Sequence, residues 1–173
     1  RIHPPQQFTD LIRDLVDMHT YLAKERIIDG DNVAVTGGSC GGYAVNAALA
    51  NFPGYFAAGV SRFGGADWVT ALQIASPSLK VADIIEYGDI SEPNWLSYYQ
   101  QYSPARQAEN INVPVLYSHG VMDPRVDIAE TEVMVKTLRK MVLKRRLSVC
   151  QMKGMVGEDW KTSYFMRRRK PLF

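Results

Sequence analysis

Residues 36–43 read TGGSCGGY, and this stretch decides which fold the chain can adopt. It contains the pattern Gly-x-Ser-x-Gly at Gly37, Ser39 and Gly41, between an apolar run (VAV) and a helix-forming run (AVNAALA). A serine on a sharp turn between a strand and a helix is strained, and residues without a Cβ let the flanking backbone pass close to it. The pattern therefore predicts that Ser39 stands at the end of a strand and at the N-terminus of a helix, where negative charge is stabilised.

Strands and helices alternate along the rest of the chain. Apolar runs at residues 33–36, 56–61 and 113–118 predict short buried strands, and helical spacing of apolar residues predicts helices over residues 8–25 and 127–140. Such alternation produces parallel β-α-β units, and a serine turn in this context is the nucleophile elbow of α/β-hydrolases. We therefore predict the α/β class, an α/β-hydrolase-like three-layer doubly wound parallel sheet that is truncated at its N-terminus.

The segment 64–112 shows no clear period, and we predict irregular structure for it. It is rich in aromatic residues, namely Trp68, Tyr87, Trp95, Tyr98, Tyr99 and Tyr102. Aromatic side chains can line a binding pocket, but they are also the largest contributors to ordinary packing. Packing is the preferred interpretation, and a pocket is the alternative.

Length and composition indicate one globular domain and exclude several classes of protein. The 173 residues are 46% hydrophobic and 22% charged, which suits a single domain. No apolar run reaches the roughly 18 residues of a membrane helix, and the N-terminal RIHPP lacks the apolar core of a signal peptide. We expect no membrane association and a cytoplasmic location. We also expect Cys40 and Cys150 to be unpaired thiols.

A serine hydroxyl becomes a nucleophile only when a base takes its proton and an acid orients that base. Asp123 follows the predicted strand 113–118, at the sheet edge where catalytic groups of parallel sheets lie, and we predict it to be the acid. The alternative is a turn residue before a proline. The backbone N–H of Cys40 follows the nucleophile and is the predicted oxyanion donor. This chemistry needs no metal and no cofactor, and the sequence shows no cluster of metal ligands.

Residues 8–140 resemble the catalytic domain of the prolyl oligopeptidase (S9) family of serine peptidases, which includes acylaminoacyl peptidases and dipeptidyl peptidases. The resemblance rests on YL at 21–22, GGSCGGY at 37–43, GADW at 65–68, HGVMDPRV at 119–126 and the helix at 130–139, and HGVMDPRV is the most specific of them. It implies that Ser39 is the nucleophile and Asp123 the triad acid. It also implies that Arg125 contacts a substrate carbonyl, for which a surface ion pair is an equally weighted alternative.

The chain departs from the family pattern because the catalytic histidine is missing. The family places that histidine in a Gly-His-Gly segment after the acid, whereas this chain has only His3, His19 and His119. His119 matches a family histidine that is not the base, and the other two are expected to be surface or packing residues. We expect the family's first strands, a further oxyanion-hole residue and its usual N-terminal domain to precede Arg1.

The last part of the chain also differs in charge. Residues 1–138 contain 9 Lys and Arg against 16 Asp and Glu, whereas residues 139–173 contain 11 against 2. A basic tail can bind nucleic acid or a membrane surface. We favour another explanation and expect no nucleic-acid partner.

A shifted reading frame explains both the charge and the missing histidine. When possible codons for Lys140 onward are read from the third base of each, the recovered string includes Pro-Asp-Glu-Gly-His-Gly-Trp. A Gly, a Glu and a Gly in the shifted frame are forced by the genetic code, and the string resembles the family's histidine segment. We therefore predict that residues 141–173 are an out-of-frame basic tail and that residues 1–140 are a partial α/β-hydrolase catalytic domain.

These features predict a serine-type peptidase that hydrolyses short peptides through an acyl-enzyme and is impaired in this chain by the loss of its histidine. One alternative is a non-catalytic truncated hydrolase, which the absent base favours. The other is an esterase of the same fold, because acyl transfer to serine serves esters as well as amides. The expected partner is a peptide substrate, and the sequence does not indicate an oligomeric state.

Overall fold

A computed structural model describes residues 4–145, 147–153 and 162–168 as an α/β fold around one five-stranded sheet. The strands are β1 (Ala34–Gly38), β2 (Ala58–Arg62), β3 (Val115–His119), β4 (Leu147–Lys153) and β5 (Thr162–Arg168). Their order in the sheet is β1-β2-β3-β5-β4. The first three strands are parallel, and β5 pairs in antiparallel fashion with both β3 and β4.

Six α-helices accompany the sheet in the described part of the chain. They are α1 (Pro4–Lys24), α2 (Cys40–Asn51), α3 (Trp68–Ile74), α4 (Pro77–Tyr87), α5 (Pro93–Tyr102) and α6 (Ile128–Arg145). Short 3-10 turns lie at Gly30–Asn32, Pro104–Arg106 and Ala108–Asn110. None of the described helices is both long and apolar enough to span a bilayer.

The predicted parallel α/β arrangement is confirmed for β1, β2 and β3. Helix α2 connects β1 to β2, and α3 to α5 lie between β2 and β3. The two antiparallel strands β4 and β5 were not part of the predicted parallel sheet, and α6 continues past residue 140 to Arg145. The boundary between a catalytic domain and a tail at residue 140 stays a prediction.

The prediction of irregular structure over residues 64–112 was wrong, because this segment forms three α-helices. Each helix has a local start signal. Asp67 accepts hydrogen bonds from the backbone N–H groups of Val69 and Thr70 and so caps α3, while proline opens both α4 and α5. Helix α3 has only 7 residues, which is too short to show a helical period in the sequence.

The prediction of a buried strand over residues 33–36 was also wrong in one respect. Ala34 and Thr36 are exposed, and Val35 is only partly buried. The physical reason is the alternation of side chains along a strand, because Ala34 and Thr36 lie on one face of β1 and the described part of the chain leaves that face exposed.

Helix α2 lies in the centre of the core and positions the serine turn. Eight of its 12 residues are buried, so the helix is packed on nearly all sides. Small residues permit close approach to the sheet, since a Cβ added to Gly59 of β2 would lie 3.2 Å from Cγ1 of Val45. A helix held in this way gives the residue at its N-terminus a fixed location.

Candidate active site

Ser39 lies on a strained turn between β1 and α2. Its backbone angles are φ 55° and ψ −123°, and a positive φ is uncommon for a residue with a Cβ. Its N–H donates to the carbonyl of Arg62 at 3.0 Å, and its carbonyl accepts from the N–H of Tyr43 at 3.0 Å. These two hydrogen bonds connect the turn to β2 on one side and to α2 on the other. They maintain the strained backbone conformation of Ser39.

The glycines around Ser39 are required at some positions of the motif and not at others. A Cβ on Gly37 would clash with the backbone of Gly41, and a Cβ on Gly42 would lie 2.7 Å from the carbonyl oxygen of Arg62. Gly41 has open space where its Cβ would be. The predicted close approach of two backbone segments is therefore confirmed at Gly37. A second close approach occurs at Gly42, and none occurs at Gly41.

A cavity of about 580 Å³ opens beside the serine turn. Ser39 and Asp123 both line it, so the structure brings together the two residues that the sequence predicted as nucleophile and acid. Its apolar side is formed by Trp68, with Ala71 and Ile74 from the next turns of α3. The Trp68 ring lies 5.4 Å from the ring of Tyr43 and 4.7 Å from that of Tyr87.

Asp123 is held by the loop in which it lies. Its Oδ1 accepts hydrogen bonds from the backbone N–H groups of Arg125 at 2.9 Å and Val126 at 3.0 Å. Partial burial raises the pKa of Asp123, but these two N–H donors and the nearby His119 and Arg125 outweigh it and leave the pKa below its ordinary value. Asp123 is therefore ionised at neutral pH, as an acid that orients an imidazole must be.

His119 does not lie where a base for Ser39 would be. Its side chain is buried, its Nε2 donates to the carbonyl of Val126 at 2.9 Å, and its Nδ1 is hydrogen-bonded to the hydroxyl of Thr131 at 2.8 Å. Its Nε2 is 3.8 Å from Oδ2 of Asp123. Both ring nitrogens are thus occupied within the protein, and His119 does not line the cavity.

His19 is a packing residue, as expected. Its ring makes edge contacts with Tyr55 and Phe56, and its Nε2 lies 3.0 Å from the carbonyl oxygen of Gly30. His3 lies outside the described residues.

Cys40 and Arg125 are both exposed and both line the cavity. Cys40 is the first residue of α2, so its N–H belongs to the open first turn of that helix. Its free thiol lies 3.4 Å from the hydroxyl of Tyr87. No described carboxylate forms an ion pair with the Arg125 guanidinium within 4.0 Å.

The sequence profile of the prolyl oligopeptidase family (Peptidase_S9) matches residues 7–155. The chain belongs to the prolyl oligopeptidase family. Dipeptidyl aminopeptidase BIII of Pseudoxanthomonas mexicana is 33% identical over 131 residues, which cover 73% of this chain and 19% of the relative. Dipeptidyl peptidase family member 6 of Caenorhabditis elegans is 32% identical, with 73% and 18% covered. The chain thus spans about a fifth of the length of these family members.

Solved structures of family members share the fold. A puromycin-hydrolyzing peptidase of Mycobacterium tuberculosis superposes with a TM-score of 0.68 at 26% identity, over 75% of this chain and 19% of that one. The acylaminoacyl peptidase of Pyrococcus horikoshii superposes with a TM-score of 0.63 at 26% identity, over 75% and 21%. The α/β-hydrolase fold predicted from the serine turn is therefore confirmed.

Sequence reasoning missed a buried carboxylate of this family member's cavity, Glu130 on the first turn of α6. It is 2% exposed, and burial raises the pKa of its carboxyl group against the opposing effect of two backbone N–H donors. A signal was present, because Glu130 shares a helical face with Met134 and Leu138, both buried in the core. A carboxylate in line with core residues indicates a buried polar contact.

Proposed function

We propose that this chain is the catalytic portion of a serine-type peptidase that hydrolyses peptides through an acyl-enzyme on Ser39. The observation that supports this most directly is the strained Ser39, placed at a helix N-terminus in the same cavity as an ionised Asp123. Membership of the prolyl oligopeptidase family gives the same reaction class.

In the proposed reaction, the Ser39 hydroxyl oxygen adds to the carbonyl carbon of the peptide bond while a histidine takes its proton. The resulting oxyanion is stabilised by the N–H of Cys40, which the dipole of α2 assists. The tetrahedral intermediate collapses, the amine leaves with the proton from the imidazolium, and water then hydrolyses the acyl-serine by the same steps. Asp123 orients the imidazole and stabilises its charged form.

Arg125 is proposed to bind a carbonyl oxygen of the substrate. Its side chain is exposed at the cavity and has no ion-pair partner among the described carboxylates, so its five N–H donors are available to a ligand. The apolar wall at Trp68 would accept an apolar side chain of the peptide.

Short peptides are the proposed substrates, and a cytoplasmic location is proposed with them. Relatives are named dipeptidyl aminopeptidase, dipeptidyl peptidase and acylamino-acid-releasing enzyme, and all three names describe action near a peptide terminus. Cys40 is an exposed free thiol, which suits a reducing compartment.

The base is the missing part of this proposal, because no histidine follows Asp123 in the sequence. We propose that residues 141–173 are encoded out of frame and that the natural continuation contains the histidine. The charge contrast between residues 1–138 and 139–173 supports this, as does the histidine-containing string in the shifted frame. Sequencing the encoding nucleic acid tests it, and a high-quality read that encodes this tail in frame would refute it.

Labelling with a fluorophosphonate probe tests the proposed nucleophile. The chain is compared with Ser39→Ala and with Ser97→Ala, which changes an exposed serine on α5 outside the cavity. We expect slow labelling that Ser39→Ala abolishes and Ser97→Ala leaves in place. Labelling that persists in Ser39→Ala would show that Ser39 is not the reactive group.

A non-catalytic role is the second candidate, favoured by the absence of a histidine after Asp123. An esterase is a close variant of the first candidate. Hydrolysis of p-nitrophenyl acetate and of a dipeptidyl p-nitroanilide separates the three. Cleavage of both indicates the peptidase, cleavage of the ester alone indicates an esterase, and cleavage of neither supports the non-catalytic protein.

A further inference from the structure

Glu130 is a buried carboxylate that the proposed reaction does not use. Its Oε2 accepts hydrogen bonds from the backbone N–H groups of Ala66 at 2.8 Å and Asp67 at 3.1 Å, across 64 and 63 positions in the sequence. Its Oε1 is buried and has no hydrogen-bond partner among the described residues. Burying a carboxylate costs free energy unless it is hydrogen-bonded. The two N–H bonds therefore offset the cost of burying Glu130.

The loop that Glu130 holds, residues 64–67, also supports the serine turn. Gly64 lies against Gly42 so closely that a Cβ on Gly64 would be 2.7 Å from the Cα of Gly42. The carbonyl of Gly65 accepts a hydrogen bond at 3.0 Å from Nδ2 of Asn46, a buried residue of α2. Loop 64–67 is therefore fixed to the helix that begins directly after the nucleophile.

The neighbour of Glu130 on the same helical turn holds the loop that carries Asp123. Thr131 is buried and its hydroxyl is hydrogen-bonded at 2.8 Å to Nδ1 of His119, whose Nε2 donates to the carbonyl of Val126. That bond closes loop 119–126 around Asp123. Two adjacent side chains of α6 thus hold the nucleophile side and the acid side of the cavity.

We propose that Glu130 is a positioning residue, which fixes the acid-bearing loop relative to the serine turn by tying loop 64–67 to the first turn of α6. The inference rests on the proposed function in so far as Ser39 and Asp123 act together. A carboxylate that accepts two backbone N–H bonds forms charge-assisted contacts of defined length. Because the first turn of α6 carries both ties, losing the tie at Ala66 and Asp67 frees that turn to move, and the Thr131 contact with loop 119–126 moves with it.

Amide hydrogen exchange on the full chain tests this coupling directly. Glu130→Leu is expected to speed exchange about tenfold in residues 64–70 and also in residues 120–126. Two control variants are informative. Arg106→Met breaks the 2.8 Å ion pair with Asp67 and should speed exchange in residues 64–70 alone, and Glu132→Leu changes an exposed residue on the same turn and should alter neither segment.

Exchange in residues 120–126 that stays unchanged in Glu130→Leu would overturn the proposal. If the Glu130→Leu variant does not unfold cooperatively, Glu130→Asp is tested instead. The aspartate side chain is one methylene too short for its carboxylate to reach both N–H groups. This variant is expected to speed exchange in both segments by a smaller factor, and an effect confined to residues 64–70 would again overturn the proposal.

The rate of Ser39 labelling by the fluorophosphonate gives a second readout. We expect Glu130→Leu to lower it about tenfold and Glu130→Gln to restore most of it, because the amide oxygen can still accept both N–H bonds. Equal rates in Glu130→Leu and the unmodified chain would contradict the positioning role. A chain that is not labelled at all contradicts the proposed function instead, and hydrogen exchange then decides on Glu130 by itself.

Discussion

At the scale of the residue, the serine turn shows how a few contacts fix the position and conformation of Ser39. A backbone with φ 55° costs on the order of 1–3 kcal/mol for a residue with a Cβ. The turn keeps this conformation because Ser39 is bonded to Arg62 and Tyr43, and because Gly37 leaves room for the backbone of Gly41. The strain is therefore offset by contacts that depend on individual glycines.

Gly37→Ala and Gly41→Ala form a matched pair at this turn. A Cβ at Gly37 would clash with the backbone of Gly41, whereas a Cβ at Gly41 would have no atom within 4 Å. We expect Gly37→Ala to lower the free energy of unfolding by about 1–3 kcal/mol and to abolish labelling of Ser39. Gly41→Ala should be neutral or slightly stabilising, because alanine favours a helix. Urea unfolding and probe labelling measure both, and similar values for the two variants would contradict the steric explanation.

Asp123 gives a prediction with a defined pH dependence. Its pKa is lower in the folded chain than the roughly 3.9 of a free aspartate. Its ionised form therefore contributes stability above pH 3.9, and this contribution is lost as pH falls through the folded pKa. Asp123→Asn should lower the thermal midpoint at pH 7, and the difference from the unmodified chain should shrink below about pH 3.9. The control is Asp10→Asn on the exposed face of α1. A difference in thermal midpoint that grows as the pH falls would contradict the lowered pKa of Asp123.

At the scale of the element, α3 depends on one aspartate for its start and its position. Oδ1 of Asp67 accepts from the N–H groups of Val69 and Thr70, and Oδ2 pairs with Nε of Arg106 at 2.8 Å. One side chain thus caps the helix that forms the cavity wall and ties it to the turn at Pro104–Arg106.

Asp67→Ala and Asp67→Asn separate the two roles of this side chain. Alanine removes the cap and leaves Arg106 without its partner, so we expect a loss of about 1–2 kcal/mol in the free energy of unfolding. Asparagine still caps the helix but forms no ion pair, so its loss should be smaller. Urea unfolding of both variants, each with and without Arg106→Met, completes a double-mutant cycle. Equal losses for alanine and asparagine would show that the cap contributes nothing.

The elements that could be predicted are those whose signals are local. Strands β1, β2 and β3 follow from apolar runs, and the serine turn from a motif whose glycines and serine are adjacent in sequence. Helix α3 was missed because its 7 residues are too few to show a helical period, whereas α4 and α5 were missed although a proline marks the start of each. The contact of Glu130 with Ala66 could not be read from the sequence, because it joins residues 64 positions apart. The cavity depends on such long-range contacts, and the sequence indicated it only through its predicted site residues, which are Ser39, Cys40, Asp123 and Arg125.

At the scale of the whole molecule, the described chain places the proposed nucleophile Ser39 and the proposed acid Asp123 in one cavity, and no described histidine lines it. His119 is bonded on both nitrogens. A triad without its base retains only a small part of its catalytic power, since the remaining groups act as a unit with it. The proposed frame shift after residue 140 therefore predicts a specific gain of function when the frame is restored.

Replacing residues 141–173 by the shifted-frame continuation is expected to raise the rate of Ser39 labelling by at least about 10²-fold, which is the typical contribution of a general base. The matched control carries the same continuation with its histidine changed to alanine, and it should label as slowly as the original chain. Ser39→Ala in the restored chain should abolish labelling. If the labelling rate also rises in the control that lacks the histidine, the increase is due to improved folding and not to a restored base. No gain in a chain that unfolds cooperatively would refute the frame shift as the cause of the missing base.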